Sequence, residues 1–171
     1  MFKPDAKFKR VTDISSTFFF FFWIKALILD VDNTLIDLSK KEIVNISAWI
    51  KSLKDEGIYL CICSNSIKKN IISNLAKKWD IPFFYFSLKP TKIGLTKAVN
   101  ALKDRYGIEN KSQIAEVGDQ VFTDCFGAKR MGLFSILTEP IELESDVISK
   151  LKRKQEKKYL AKMSKGEEDV C

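Results

Sequence analysis

Five short apolar runs, at 26–29, 58–63, 82–86, 114–117 and 133–136, divide the chain, and between them apolar residues recur at helical spacing. This alternation constrains the fold more than any other feature. Parallel strands need long crossover connections, and right-handed βαβ units bury such strands on both faces, which is why each run is almost continuously apolar. After the first run, Ser39 followed by Glu42 reads as a capping box, and Ile43, Ile46, Ile50 and Leu53 then share a helical face up to Gly57. Ile67, Ile71, Leu75 and Trp79 repeat the pattern, as do Leu95, Val99, Leu102 and Tyr106 before Gly107. The expectation is a doubly wound α/β fold with a parallel sheet of about five strands and helices on both faces. A chain of 171 residues fits one ordinary domain whose core needs neither disulfides nor a structural metal.

Composition narrows the chemistry. The chain contains no histidine, which removes Ser-His-Asp hydrolases, His-ligated zinc enzymes and His phospho-carriers, so any acid/base group must be a carboxylate. Cys61, Cys63, Cys125 and Cys171 form no C-x-x-C pair, and Cys125 stands at the wrong interval from Arg130 for a C-x5-R phosphatase loop. Cys61 and Cys63 lie two apart in an apolar run and read as small buried hydrophobes on one strand face. No signal-peptide layout is visible, and a reducing, cytoplasmic setting is the expectation.

In an open parallel sheet, ligands bind beyond the carboxyl ends of the strands, where strand order reverses. The polar residues of this chain collect there: Asp30, Asp32, Asn33 and Thr34 after the first run, Ser64 and Asn65 after the second, Lys89 after the third, and Asp119 and Asp124 after the fourth. Carboxylates, a hydroxyl and a lysine suit a hard cation together with a phosphoryl group, and oxygen-only ligands select Mg²⁺. One carboxylate can attack phosphorus to form an acyl phosphate while a neighbour protonates the leaving oxygen and later deprotonates water. Asp32 suits the second role. Asp119, directly after the Gly118 turn, reads as the better metal ligand, with Asp124 binding metal waters or holding Lys89. Thr34 can orient the Asp30 loop, and Ser64 and Lys89 can meet the phosphate. Each residue also has an ordinary alternative: turn or N-cap roles for the aspartates and Ser64, a surface position for Lys89.

The ordered series Asp30-x-Asp32-x-Thr34, Ser64, Lys89 and Gly118-Asp119-x4-Asp124 resembles the four motifs of the haloacid dehalogenase (HAD) superfamily of aspartyl-phosphate phosphatases. More narrowly, residues 3–137 resemble the YqeG-type branch, which includes phosphatidylglycerophosphate phosphatases. The segments 24–35, Ser64-Asn65, Lys89-Pro90 and 118–124 carry that likeness. The resemblance implies a HAD-like Rossmannoid fold and a Mg²⁺-dependent phosphomonoester hydrolase. It implies Asp30 as nucleophile and Asp32 as general acid/base, with Thr34, Ser64, Asn65 and Lys89 around the phosphate and Asp30, Asp32, Asp119 and Asp124 around the metal. One departure is the run Phe18–Phe22 with Trp23, where the family usually has a mixed polar segment.

Spacing speaks to the substrate. Neither the stretch from Asp30 to Ser64 nor that from Ser64 to Lys89 has room for a cap domain, and an open site suits a large substrate: a membrane lipid, a protein or a nucleic-acid end. The organisation expected is an extension with a Phe-rich segment over 1–24, a catalytic domain over 25–138, and a basic helix and tail over 139–171. From Lys150 to Lys165 eight basic residues face only Glu156, which accounts for the net charge of +7. This helix can bind anionic lipid or, as second choice, nucleic acid, or simply be solvated. The phenylalanine run is too short to span a bilayer. It can pack under the sheet, make a dimer contact or rest on a bilayer surface as a peripheral contact.

Overall fold

The computed structural model describes residues 3–168. Met1, Phe2 and residues 169–171, Cys171 among them, lie outside the described residues. In chain order the elements are β1 (Ala6–Phe8), α1 (Ser16–Phe21), β2 (Ala26–Leu29), α2 (Ile46–Asp55), β3 (Tyr59–Cys63), α3 (Lys69–Trp79), β4 (Phe83–Phe84), α4 (Lys92–Tyr106), β5 (Ile114–Gly118), α5 (Phe126–Met131), β6 (Phe134–Thr138) and α6 (Val147–Glu168). All strand pairs are parallel, in the order β1-β6-β5-β2-β3-β4. Strand order reverses around β2, where Leu29 is level with Ile62 of β3 and Val117 of β5. That reversal opens the crevice in which a doubly wound sheet binds its ligand.

Period-two alternation sends the strand residues to two cores. Leu27, Leu29, Leu60, Ile62 and Val117 meet Ile46, Ile50 and Leu53 of α2 and Ile72, Leu75 and Trp79 of α3. On the other face Ala26, Ile28, Cys61 and Cys63 meet Leu95, Ala98 and Leu102 of α4 and Ala128 and Met131 of α5. Cys61 and Cys63 are free and buried, and burial pushes their thiols up, Cys63 to about 12, so both are inert.

The structure differs from the sequence reading at three places. Helix α2 begins at Ile46, not after Ser39, because Ile36 pairs antiparallel with Glu42 and closes a small flap beyond β2. The Glu42 carboxylate takes Lys78 at 2.7 Å and the Ser47 hydroxyl at 3.1 Å instead of capping a helix. In α3 the buried stripe runs through Ile72, Leu75, Ala76 and Trp79, leaving Ile67 before the helix and 75% exposed. The sheet has six strands, not about five. The sixth, β1, lies within the stretch read as an extension, and residues 11–19 of that stretch put Val11, Ile14 and Phe19 into the first core.

Three residues are too few for a strand to hold itself, so β1 depends on its flanking side chain. Asp5 Oδ2 accepts from Ser135 N at 2.8 Å and Ser135 Oγ at 2.9 Å, while Oδ1 pairs with Lys129. Burial works against the charged carboxylate, but Lys129 and Ser135 outweigh it and hold Asp5 below the ordinary carboxylate range. Asp5→Asn is expected to cost roughly 1 kcal/mol at pH 7, about 2–4 °C in Tm. A pKa lowered on folding gives stability that is present above the unfolded value and lost as pH falls through the folded one. The Tm gap between parent and variant should therefore narrow below about pH 4, and a gap that widens there would refute the assignment.

The basic C-terminal segment is a helix that docks on the domain. Tyr159 and Leu160 pack against Val121, Cys125 and Leu137, and Glu156, buried, accepts from Phe122 N at 3.3 Å. Among the described residues no helix is long and apolar enough to cross a membrane.

Candidate active site

Beyond Leu29 the backbone turns sharply, with the amides of Thr34, Leu35 and Ile36 all donating to the Val31 carbonyl. The turn keeps Asp30 at the sheet end and swings Asp32 outward. Asp30 is buried, and its Oδ1 accepts from Lys89 Nζ at 2.9 Å, leaving Oδ2 without a hydrogen-bond partner among the described residues. Lys89, in the loop before α4, also meets Asp124 Oδ1 at 2.7 Å and Glu116 Oε1 at 3.3 Å. Asp119 follows β5 directly, and Asp124 comes from the π-helical turn Val121–Cys125, where its Oδ2 accepts from Gln120 N at 3.0 Å. Gly118 lies so close to this carboxylate that a Cβ there would overlap it.

One carboxylate oxygen from each of Asp30, Asp119 and Asp124 lies within 4.8 Å of the others, and all three residues are buried. Oxygen donors at that spacing suit a hard divalent cation. Charge agrees: four buried carboxylates, Asp30, Glu116, Asp119 and Asp124, share the cations Lys89 and Arg153. Burial pushes Asp30 up to about 7, Lys89 drawing it down and Asp124 raising it again. Burial likewise raises Glu116 and Asp119 well above the carboxylate range despite Lys89 and Arg153. Lys89 would be lowered by burial alone, but Asp124, Asp30 and Glu116 hold its ammonium well above its ordinary value. A bound cation would relieve this excess of buried negative charge.

The side chain of Asp32 stands apart from the other expected metal ligands. Its carboxylate is not in the cluster but at the rim, 36% exposed and bonded to Lys40 Nζ at 2.7 Å. The physical reason is the turn after β2: the strand has ended, Asp32 bridges to Ile36, and the period-two alternation that would align it with Asp30 no longer applies. Thr34 is buried and its Oγ1 donates to Asp119 Oδ1 at 3.5 Å, so it braces Asp119. Ser64 is buried at the end of β3, its Oγ accepting from Ser66 N at 3.1 Å. Asn65 clasps Lys89 through the backbone, donating to its carbonyl at 3.0 Å and accepting from its amide at 2.7 Å. Asn65 thus positions Lys89 and faces the site through it.

Two site residues escaped the sequence reading. Glu116 stands in the middle of β5 with neither carboxylate oxygen hydrogen-bonded, Lys89 being its charge partner. An ionisable residue inside an apolar run was the available signal. Arg153 of α6 reaches Asp119 with both ends of its guanidinium: Nη1 donates to the Asp119 carbonyl at 2.7 Å, and Nη2 pairs with its carboxylate. It also meets Glu144 at 2.9 Å and Glu156 at 3.2 Å. Asn33, at φ 64°, closes the rim by donating to the Glu142 carbonyl at 3.0 Å and to Glu144 at 3.1 Å.

Comparison with known proteins follows the same lines. A family model described as mitochondrial PGP phosphatase matches residues 1–142. The probable phosphatase YqeG of Bacillus subtilis (strain 168) is 27% identical over 143 residues, 83% of this chain and 80% of that protein. Among solved structures, a haloacid dehalogenase-like hydrolase from Brucella suis 1330 superposes with a TM-score of 0.53 at 12% identity, covering 75% of this chain and 88% of that one. The cobalt-bound deoxy-D-mannose-octulosonate 8-phosphate phosphatase of Haemophilus influenzae gives 0.51 at 20% identity, covering 75% and 74%. At such identities the superpositions establish the HAD-like fold. With the family match over most of its length, the chain belongs to the PGP phosphatase family.

Proposed function

We propose that this phosphatase cleaves a terminal phosphomonoester from a phospholipid head group, of which phosphatidylglycerophosphate is the leading candidate, through an aspartyl-phosphate on Asp30. The observation that carries the reading is the buried constellation of Asp30, Asp119, Asp124 and Lys89 at the carboxyl ends of β2 and β5. The unpartnered Oδ2 of Asp30 forms a bond to phosphorus while the ester oxygen leaves, and Asp32 delivers a proton to that oxygen. Asp32 then takes a proton from water as water attacks the acyl phosphate, releasing orthophosphate and restoring Asp30. The rim position of Asp32 suits this work, since both the departing alcohol and the entering water come from the open side. Lys89 favours the ionised form of Asp30 against the effect of burial and neutralises charge on the phosphoryl oxygens, with the Ser64 hydroxyl beside it. Mg²⁺ held by Asp30, Asp119 and Asp124 would supply further charge neutralisation on those oxygens.

Support for a lipid rests on the family, on the absence of a cap among the described residues, and on the basic face of α6 at the catalytic edge. The aromatic tip divides differently. Phe19 is buried and Phe18 half-buried, while Phe20, Phe21, Phe22 and Trp23 are exposed just before β2, at the end of the sheet away from the carboxylates. Membrane presentation of the substrate is therefore assigned to α6, not to the tip.

The proposal is tested by Mg²⁺-dependent release of phosphate from phosphatidylglycerophosphate in mixed micelles, with acid-stable label trapped on the parent but not on a protein lacking Asp30. Release without any dependence on divalent cation would refute it. The role of Asp32 has its own check. Asp32→Asn should slow alkyl phosphates at least about tenfold more than aryl phosphates, whose better leaving groups need less protonation. Equal losses on the two would remove Asp32 as the acid.

A further inference from the structure

We infer that the groove between α6 and the 142–146 loop binds a second anionic group of the substrate, so that the enzyme selects molecules carrying a phosphodiester close to the monoester it cleaves. The inference rests on the phosphatase reading above and adds a specificity site to it.

The groove is a cavity of about 340 Å³ lined by Leu143, Glu144, Lys150, Arg153, Lys154 and Lys157. It joins the catalytic cluster through two shared residues. Arg153 touches Asp119, and Glu144 is held by both Arg153 and Asn33 of the loop after β2. The cations in the groove are of two kinds. Arg153 is saturated by Asp119, Glu144 and Glu156. Lys150, Lys154 and Lys157 are exposed and have no acidic partner among the described residues.

Positions 150, 154 and 157 lie on one helical stripe, so the three ammonium groups form a rail about 10 Å long. A rail of that length, in the groove that shares Arg153 and Glu144 with the catalytic cluster, reaches further than the monoester, which Lys89 and Ser64 serve at the sheet end. Its natural occupant is a second phosphate one short linker away. Leu143, 75% exposed, offers an apolar wall against which the carbon linker can lie. Because Arg153 is already occupied, the extra anion is left to the three lysines. Exposed charge contacts are individually modest, and three acting together suit a preference of about tenfold.

The test compares two soluble substrates on the full chain with Mg²⁺, so that no bilayer takes part. Glycerophosphoglycerol phosphate carries the diester and the terminal monoester; glycerol 3-phosphate carries the monoester alone. The parent should favour the former at least about tenfold in kcat/KM, through KM, and the combined Lys150→Ala, Lys154→Ala, Lys157→Ala change should collapse that ratio toward one. The matching Lys→Arg triple should restore most of it. A parent ratio near one, or a ratio the alanine triple leaves in place, overturns the inference while the phosphatase reading stands. Calorimetric binding of the same head group reads the groove without turnover. About tenfold weaker binding in the alanine triple supports the inference even if no hydrolysis is seen, and equal binding overturns it. Inorganic phosphate is expected to lose less than about threefold in the same variant, and a tenfold loss there would mean that any phosphate, with or without a diester, is what the lysines hold.

Discussion

Asp30→Asn is expected to lower the turnover of an aryl phosphate at least about a thousandfold with saturating Mg²⁺, a barrier higher by about 4 kcal/mol. The substitution keeps the shape of the side chain and its contact with Lys89 but removes the oxygen that would attack phosphorus. It also takes a buried charge away from Asp124, so the folded state should not weaken. That separates a chemical defect from a folding defect, because the variant should melt at or above the temperature of the parent. Single-turnover measurements check the loss, and a rate within tenfold of the parent would remove Asp30 as nucleophile.

Lys89→Met carries the second large effect, and it falls on stability as well as rate. Among the described residues Lys89 is the one ammonium facing Asp30, Glu116 and Asp124, and its side chain is only 1% exposed. Removing one partner from a buried ionic cluster leaves the others uncompensated, which costs about 3–5 kcal/mol. In chelator the variant should unfold at correspondingly lower denaturant. Mg²⁺ should restore part of the loss, because a cation that binds the folded state alone stabilises it by mass action. Turnover should fall at least about a hundredfold even where the fold is rescued. A loss of stability below about 1 kcal/mol would show that the carboxylates shed their charge when Lys89 is absent.

How much of this was legible in the chain depends on the kind of signal. Strand β2 appears as read, 26–29, because a central parallel strand is apolar on both faces and leaves an unbroken run. Asp30, Asp119, Asp124 and Lys89 were legible because each follows such a run, and strand direction then decides which edge they share. Strand β1 was not. Its sequence Ala-Lys-Phe is three residues at an edge, and what fixes it is the Asp5–Ser135 contact across 130 positions. The carboxylate of Asp32 does not join those of Asp30, Asp119 and Asp124, because a two-residue spacing predicts a shared face only while the strand continues. Arg153 lay hidden among eight basic residues, where helix periodicity gives a face but not the neighbour that face meets. Glu156, the lone acid in that stretch, marks the docked side, since Arg153 bonds it one turn away at 3.2 Å.

The aromatic tip before β2 and the carboxylates after it stand at opposite ends of one strand, separated by about 13 Å of extended backbone plus the adjoining turns. Grip and turnover therefore do not compete for space. Anything that seized Trp23 and Phe21 would leave the mouth of the enzyme open and facing away from the point of attachment. Such a tether would raise the local concentration of the active end without blocking it, as a short leash does for any two-ended molecule. Contact through α6, by contrast, lies beside the entrance, because Arg153 of that helix touches Asp119, and there holding the molecule and feeding it become the same event.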